Sequence, residues 1–258
     1  MADRYILLSL DVEEFDLPKE YGIEISDDDA INKSTEGLLK VIALIESFNI
    51  QCTCFITAYF AENNKKLINT ISQRHEIASH GYYHSKNLEG DLIKSKTTIE
   101  EIISKKVIGY RQPRLSKIEL HRLIEAGYSY DSSINPIWLP KRYNNLSKAR
   151  VPFKNDHLWV LPISASPIIR YPLFWLSFKN TPESLYQMIA KWTLRQDKYL
   201  NIYFHPWEFT DLSEFNLPFY IKKHSGIEML QRLEDLLNIL KNEGTFMTNA
   251  HYVNKILN

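Results

Sequence analysis

Cysteine is nearly missing from this chain: Cys52 and Cys54 are the only two in 258 residues. Two thiols cannot by themselves close a structural zinc site, which takes four ligands. They lie in the β-like run Gln51-Cys52-Thr53-Cys54-Phe55-Ile56, on one sheet face and poorly placed for a mutual bond, so both read as small buried apolar side chains. Net charge is missing as well. The 31 Lys and Arg balance the 31 Asp and Glu, which argues against nucleic acid as a general partner. A local basic patch remains around Lys141 and Arg142. No apolar run approaches the ~18 residues a membrane span needs. The first residues pass directly into a short apolar run at 5–10, without the core and cleavage site of a signal peptide. A cytoplasmic enzyme is the expectation. There is no internal repeat, low-complexity stretch or linker, and the chain reads as one catalytic domain over residues 1–258.

What is present is ordinary globular composition, 44% apolar and 24% charged, in a chain long enough to bury a large core without staples. Strand-like runs alternate with amphipathic stretches. Strands are predicted at 5–10, 52–57, 76–79, 107–110, 128–131, 200–204 and 245–248. Helices are predicted at 35–48, 61–72, 91–104, 116–126 (Ser116 as N-cap), 181–195 (Thr181 as N-cap, Pro182 at the first position) and 226–242. The span 136–175 reads as strands and long loops. This β-then-α order implies an α/β fold with one mostly parallel sheet, open or closed into a barrel.

In such folds the chemistry gathers at the carboxyl ends of the strands. Here the strand ends carry Asp11-Val12-Glu13-Glu14, His80, Arg111-Gln112-Pro113-Arg114, Asp131 and His205-Pro206-Trp207-Glu208. His80 and His84, four positions apart, would share one helical face and could bind one metal ion. Glu14 and Asp16 read as solvated or as supporting groups, and Trp207 as a wall of the site. His75, His121, His157, His224 and His251 have no such context. The aromatic stretch 159–178 reads either as a sugar-binding cleft or as core.

In this order, Asp11-Val12-Glu13, His80-Gly81-Tyr82-Tyr83-His84, Arg111-Gln112-Pro113 and Ile202-Tyr203-Phe204-His205 resemble the motifs of the polysaccharide deacetylase family (the NodB-homology domain, carbohydrate esterase family 4). The Asp-Val-Glu and His-Pro-Trp-Glu segments are similar to one subgroup of it. The resemblance implies a distorted, incomplete (β/α) barrel of about seven strands. It implies a metal-dependent hydrolase that removes an acyl group, N-acetyl foremost, from a saccharide or glycoconjugate, lipid-linked forms included. By that pattern Glu13, His80 and His84 bind a divalent metal, zinc first, with cobalt or nickel as alternatives. Asp11 is then the general base, His205 the general acid, and Arg111 the group that orients Asp11. Either Asp131 or Glu208 would orient His205. Two departures stand out: Glu13 replaces an aspartate, and Arg114 stands where many relatives have tyrosine. The competing expectations are a hydrolase of a non-sugar C–N bond and a catalytically silent carbohydrate-binding module.

Overall fold

The computed structural model describes residues 3–85, 90–140 and 142–258, so Lys141 of the basic pair lies outside the described residues. Eleven strands are seen among them. They are β1 (Tyr5–Val12), β2 (Thr53–Ile56), β3 (Glu76–Ser79), β4 (Gly109–Tyr110), β5 (Tyr130–Asp131), β6 (Trp138–Leu139), β7 (Tyr143–Asn144), β8 (Phe153–Asn155), β9 (Leu158–Val160), β10 (Tyr199–Phe204) and β11 (Thr245–Met247). The main sheet runs β10-β1-β2-β3-β4-β5-β9-β8. Every pairing from β10 to β9 is parallel, and only the β8 edge is antiparallel. The barrel therefore has seven parallel strands, as the resemblance implied. β11 pairs with the first residues of β1, and β6 and β7 form a separate hairpin.

The ladder does not close between β9 and β10. The seam is held instead by Asn201. Its carbonyl accepts the Ser164 N–H at 2.9 Å, and its amide donates to the Leu161 and Pro162 carbonyls and to Ser132 Oγ.

Side chains alternate across a parallel sheet, and here the alternation separates two environments. On β1, Ile6, Leu8, Leu10 and Val12 pack outward against the helices together with Cys54 and Ile56. Leu7, Phe55, Ala78, Tyr130 and Tyr199 fill the inside of the barrel. Ser9 and Asp11, which share parity with Leu7, also point inward. Both cysteines are free and buried, as read from the sequence.

The helices differ from the expected boundaries where local chemistry intervened. The helix predicted at 35–48 begins at Asp27 and runs to Ser47, because Ser26 caps it by accepting the Asp29 N–H. Its Gly37 abuts the Pro206 carbonyl so closely that a Cβ there would sit 1.8 Å from the oxygen. The stretch 61–72 is two helices, Ala58–Asn63 and Lys65–Ile71, broken at Asn64. Ser116 caps no helix. Its hydroxyl bonds the Pro113 carbonyl, and the helix starts at Leu120. Thr181 ends one helix, and Glu183–Asp197 begins one residue after Pro182. No helix among the described residues is long and apolar enough to cross a membrane.

Candidate active site

The ends of β1, β3, β4 and β10 open into a pocket of about 240 Å³. Asp11, Glu13, His80, His84, His205 and Trp207 all line it. A larger open groove of about 1080 Å³, running past Lys33 and Phe215, contains no histidine and only exposed carboxylates.

Each polar group sits at or just beyond the last ladder bond of its strand. The His80 N–H donates to the Ile56 carbonyl, and the Arg111 N–H to that of Ser79. The segment from His80 to His84 is not a helical turn, contrary to the expectation from its spacing. It is an irregular loop that reverses at Gly81, whose φ is +77°. The Gly81 and Tyr82 carbonyls accept the N–H groups of Ala58 and Tyr59, and Asp91 accepts the Tyr82 N–H at 2.6 Å. These bonds bring the two imidazoles back alongside each other, 6.0 Å apart and nearly parallel.

Both rings aim the same nitrogen at Glu13. His80 Nε2 lies 3.3 Å and His84 Nε2 3.1 Å from Glu13 Oε2. That oxygen is buried and has no hydrogen-bond partner. The far nitrogens are already engaged: His80 Nδ1 meets the Arg111 carbonyl at 2.9 Å, and His84 Nδ1 meets Asp16 at 2.7 Å. A carbonyl only accepts, so Nδ1 of His80 carries a proton, and in the neutral ring Nε2 is the nitrogen left to bind a cation. Two imidazole nitrogens and one carboxylate oxygen, all within 4.8 Å of one another, fit a divalent cation, and the engaged far nitrogens supply the outer support that metal-binding histidines have.

Charge in this cluster is strongly coupled. Burial alone would raise the Glu13 carboxyl, but His84 and His205, with His80, outweigh it and hold it at about 2. Burial would lower His84, yet Glu13 and Asp16 raise it to about 9. The negative potential that raises His84 is the same potential that attracts a cation.

Asp11 stands beside the triad on Arg111, which is completely buried. One guanidinium nitrogen donates to Asp11 Oδ1 at 2.5 Å and to Ser9 Oγ, the second to Ser132 Oγ, and Nε to the Ser132 carbonyl. The guanidinium carbon sits over the Phe55 ring, 4.0 Å from its centre. Opposite, His205 stacks on Trp207 at 4.9 Å. Its Nδ1 meets Glu208 Oε1 at 3.0 Å, and the same oxygen accepts its backbone N–H. Burial disfavours the charged ring, but Glu13 and Glu208 reverse that and raise the His205 pKa.

The alternatives left open by the sequence are now decided. Glu208 holds His205. Asp131 bonds Ser133 and lies on the opposite pleat from Ser132, which reaches Arg111. Glu14 and Asp16 are not solvated. Glu14 accepts the His84 N–H and the Thr57 hydroxyl, and Asp16 accepts from His84 and Ser85. Of the aromatic stretch, Leu173 is buried in the core, whereas Phe174 and Trp175 line the pocket.

Sequence reading missed Lys179, fully buried behind Glu208, with Nζ 3.8 Å from Oε2 and 2.9 Å from Ser225 Oγ. Burial lowers it to about 8, against the pull of Glu208. It lies in a short helix far from every motif, and no local signal marks it.

The sequence model described as polysaccharide deacetylase matches residues 22–130. No curated protein matches the chain. Among solved structures, a Mycobacterium smegmatis protein assigned as a polysaccharide deacetylase superposes with a TM-score of 0.66 at 16% identity, covering 98% of this chain and 90% of its own. The Puue allantoinase gives 0.67 at 14% identity, over 99% and 92%. A family 4 acetyl xylan esterase from Clostridium thermocellum, in complex with a cobalt ion, gives 0.52 at 11% identity, over 97% and 91%. At these identities the structural likeness speaks for the fold, and the matched segment, 22–130, is similar to the polysaccharide deacetylase family.

Proposed function

We propose that this chain is a metal-dependent hydrolase that removes an acyl group, N-acetyl foremost, from a saccharide or glycoconjugate, and that it belongs to the Asp-Val-Glu subgroup of its family. One observation carries the reading. A buried Glu13–His80–His84 donor set shares its pocket with a carboxylate fixed by Arg111 and an imidazole fixed by Glu208.

Glu13, His80 and His84 would hold the cation, zinc foremost, with cobalt or nickel as alternatives. When bound, it supplies Lewis acidity that polarises the acyl carbonyl and acidifies water. Asp11, aimed by its charge-assisted bond to Arg111, takes the proton of the attacking water. A backbone N–H near Pro113-Arg114 would donate to the oxyanion. His205 enters protonated and gives its proton to the departing nitrogen as the C–N bond breaks, leaving a carboxylate and an amine. Glu208 keeps the imidazole in one orientation throughout. Phe174, Trp175 and Trp207 exclude water and offer faces to a sugar ring.

The test is release of acetate or formate from a panel of N-acyl sugars with zinc, cobalt or nickel added. Asp11→Asn should cut turnover by roughly 10²–10⁴ while the protein keeps its metal. His80→Ala should lose the metal. Full metal occupancy in His80→Ala, or normal turnover in Asp11→Asn, would sink the assignment. The likeness to an allantoinase favours one second reading, hydrolysis of a C–N bond outside a sugar by the same groups. Including cyclic amides in the panel separates the two.

A further inference from the structure

The outer half of the pocket carries a feature that the deacylation machinery does not use. Arg114, from the turn after β4, and Arg142, from the β6–β7 hairpin, both reach over the mouth and converge on one carboxylate. Arg114 Nη2 is 3.0 Å from Glu20 Oε1, and Arg142 Nη2 is 3.6 Å from Glu20 Oε2. Asp16 Oδ2 is 4.0 Å from the Arg114 guanidinium, but Asp16 is already bonded to His84 and Ser85. Two guanidiniums thus share one carboxylate of their own.

The arrangement contributes little to the fold. The side chains of Arg114 and Arg142 are 37% and 52% exposed, and solvent-screened pairs of this kind add little to stability. The backbone, by contrast, pays to put Arg114 there. Arg114 and Leu115 are consecutive non-glycine residues at φ of +59° and +50°, a conformation that costs such residues free energy and collects at ligand sites. A guanidinium is a planar fork matched to the oxygens of a carboxylate or phosphate. A carboxylate offers it two oxygens and one charge, whereas a terminal phosphate offers three oxygens and up to two charges.

We propose that Arg114 and Arg142 form an anion subsite that selects phosphate-bearing saccharides, with Glu20 holding the two arginines until the phosphate replaces it. The subsite rests on the hydrolase reading above for the saccharide part of its ligand. Arg114, Arg142 and Glu20 line the same pocket as Glu13, His80 and His84, so one ligand can present its phosphate to the arginines and its acyl group to the metal set. The same chemistry is offered by a sugar phosphate monoester and by a sugar diphosphate ester.

Calorimetric titration tests this without relying on turnover. The full chain is titrated with N-acetylglucosamine, its 1-phosphate and its UDP ester, and so are Arg114→Met/Arg142→Met, Arg142→Met alone and Glu20→Gln. At least one phosphate ester should bind the wild type about tenfold or more tightly than the neutral sugar. The preference should fall in Arg142→Met, vanish in the double variant and increase in Glu20→Gln. Which ester shows it identifies the source of the phosphate. Arg142→Met changes only the exposed hairpin, so it remains informative if the double variant fails to fold. Equal affinities overturn the subsite, and so does a preference that survives in Arg142→Met and the double variant. Tight binding without acyl release would instead count against the hydrolase reading and leave the subsite standing.

Discussion

Parity along a strand decides which residues meet in this pocket. Asp11, His80, Arg111 and His205 carry inward parity on four strands, and their types and motif positions were legible in the sequence. Their partners were not, because a carboxylate's reach depends on the face it occupies. Asp131 has the right chemistry to hold His205 but the wrong pleat, whereas Glu208 reaches the ring from the turn directly after β10. The cost to Asp131 is testable. Burial raises its carboxyl from 3.8 to about 6, while the bonds to Ser133 and the charge of Arg111 pull the other way. A carboxyl raised in the folded state stabilises that state only while protonated. Its contribution is complete below pH 4 and is lost as pH rises through about 6. The stability of Asp131→Asn relative to wild type should therefore climb by roughly 3 kcal/mol between pH 4 and pH 7. Urea unfolding at both pH values measures it, and a flat difference would refute this account.

At the scale of elements, the histidine pair shows why spacing is weaker than geometry. Four-residue spacing suits a helix, yet His80 and His84 converge through a loop that turns at Gly81. Any other residue there meets two penalties: the positive φ, and a Cβ only 3.3 Å from the Pro113 ring. Gly81→Ala should lose on the order of 1–2 kcal/mol from the backbone term and retain metal less well, because the loop sets the distance between the two rings. Denaturant midpoints and metal stoichiometry check this. Unchanged values for both would mean the loop tolerates a side chain and does not set the pair. Helix starts were misread for a related reason: Ser116 and Thr181 have the chemistry of caps, but their hydroxyls bond elsewhere, at Pro113 and Tyr171.

For the molecule as a whole, the unclosed seam between β9 and β10 is the point of greatest leverage. Asn201 supplies there what a strand pair would otherwise supply, and it is fully buried. Asn201→Leu removes the amide from two buried carbonyls and should cost about 2–3 kcal/mol. The seam also carries Ser132, a partner of Arg111, so activity should fall with it. Thermal melts and turnover test both, and stability within about 0.5 kcal/mol of wild type would mean the seam is held by packing alone. By itself the sequence determined the alternation of strand and helix, the parallel sheet, and which strand ends carry ionisable groups, because hydrophobic periodicity and residue type are local properties. Only the tertiary structure decided that Glu208 serves His205, that Lys179 lies behind it, and that Glu20 bridges Arg114 and Arg142. The last two join segments whose distance and facing depend on how the sheet curls, whereas Glu208, only three residues from His205, was singled out once Asp131 was seen on the other pleat.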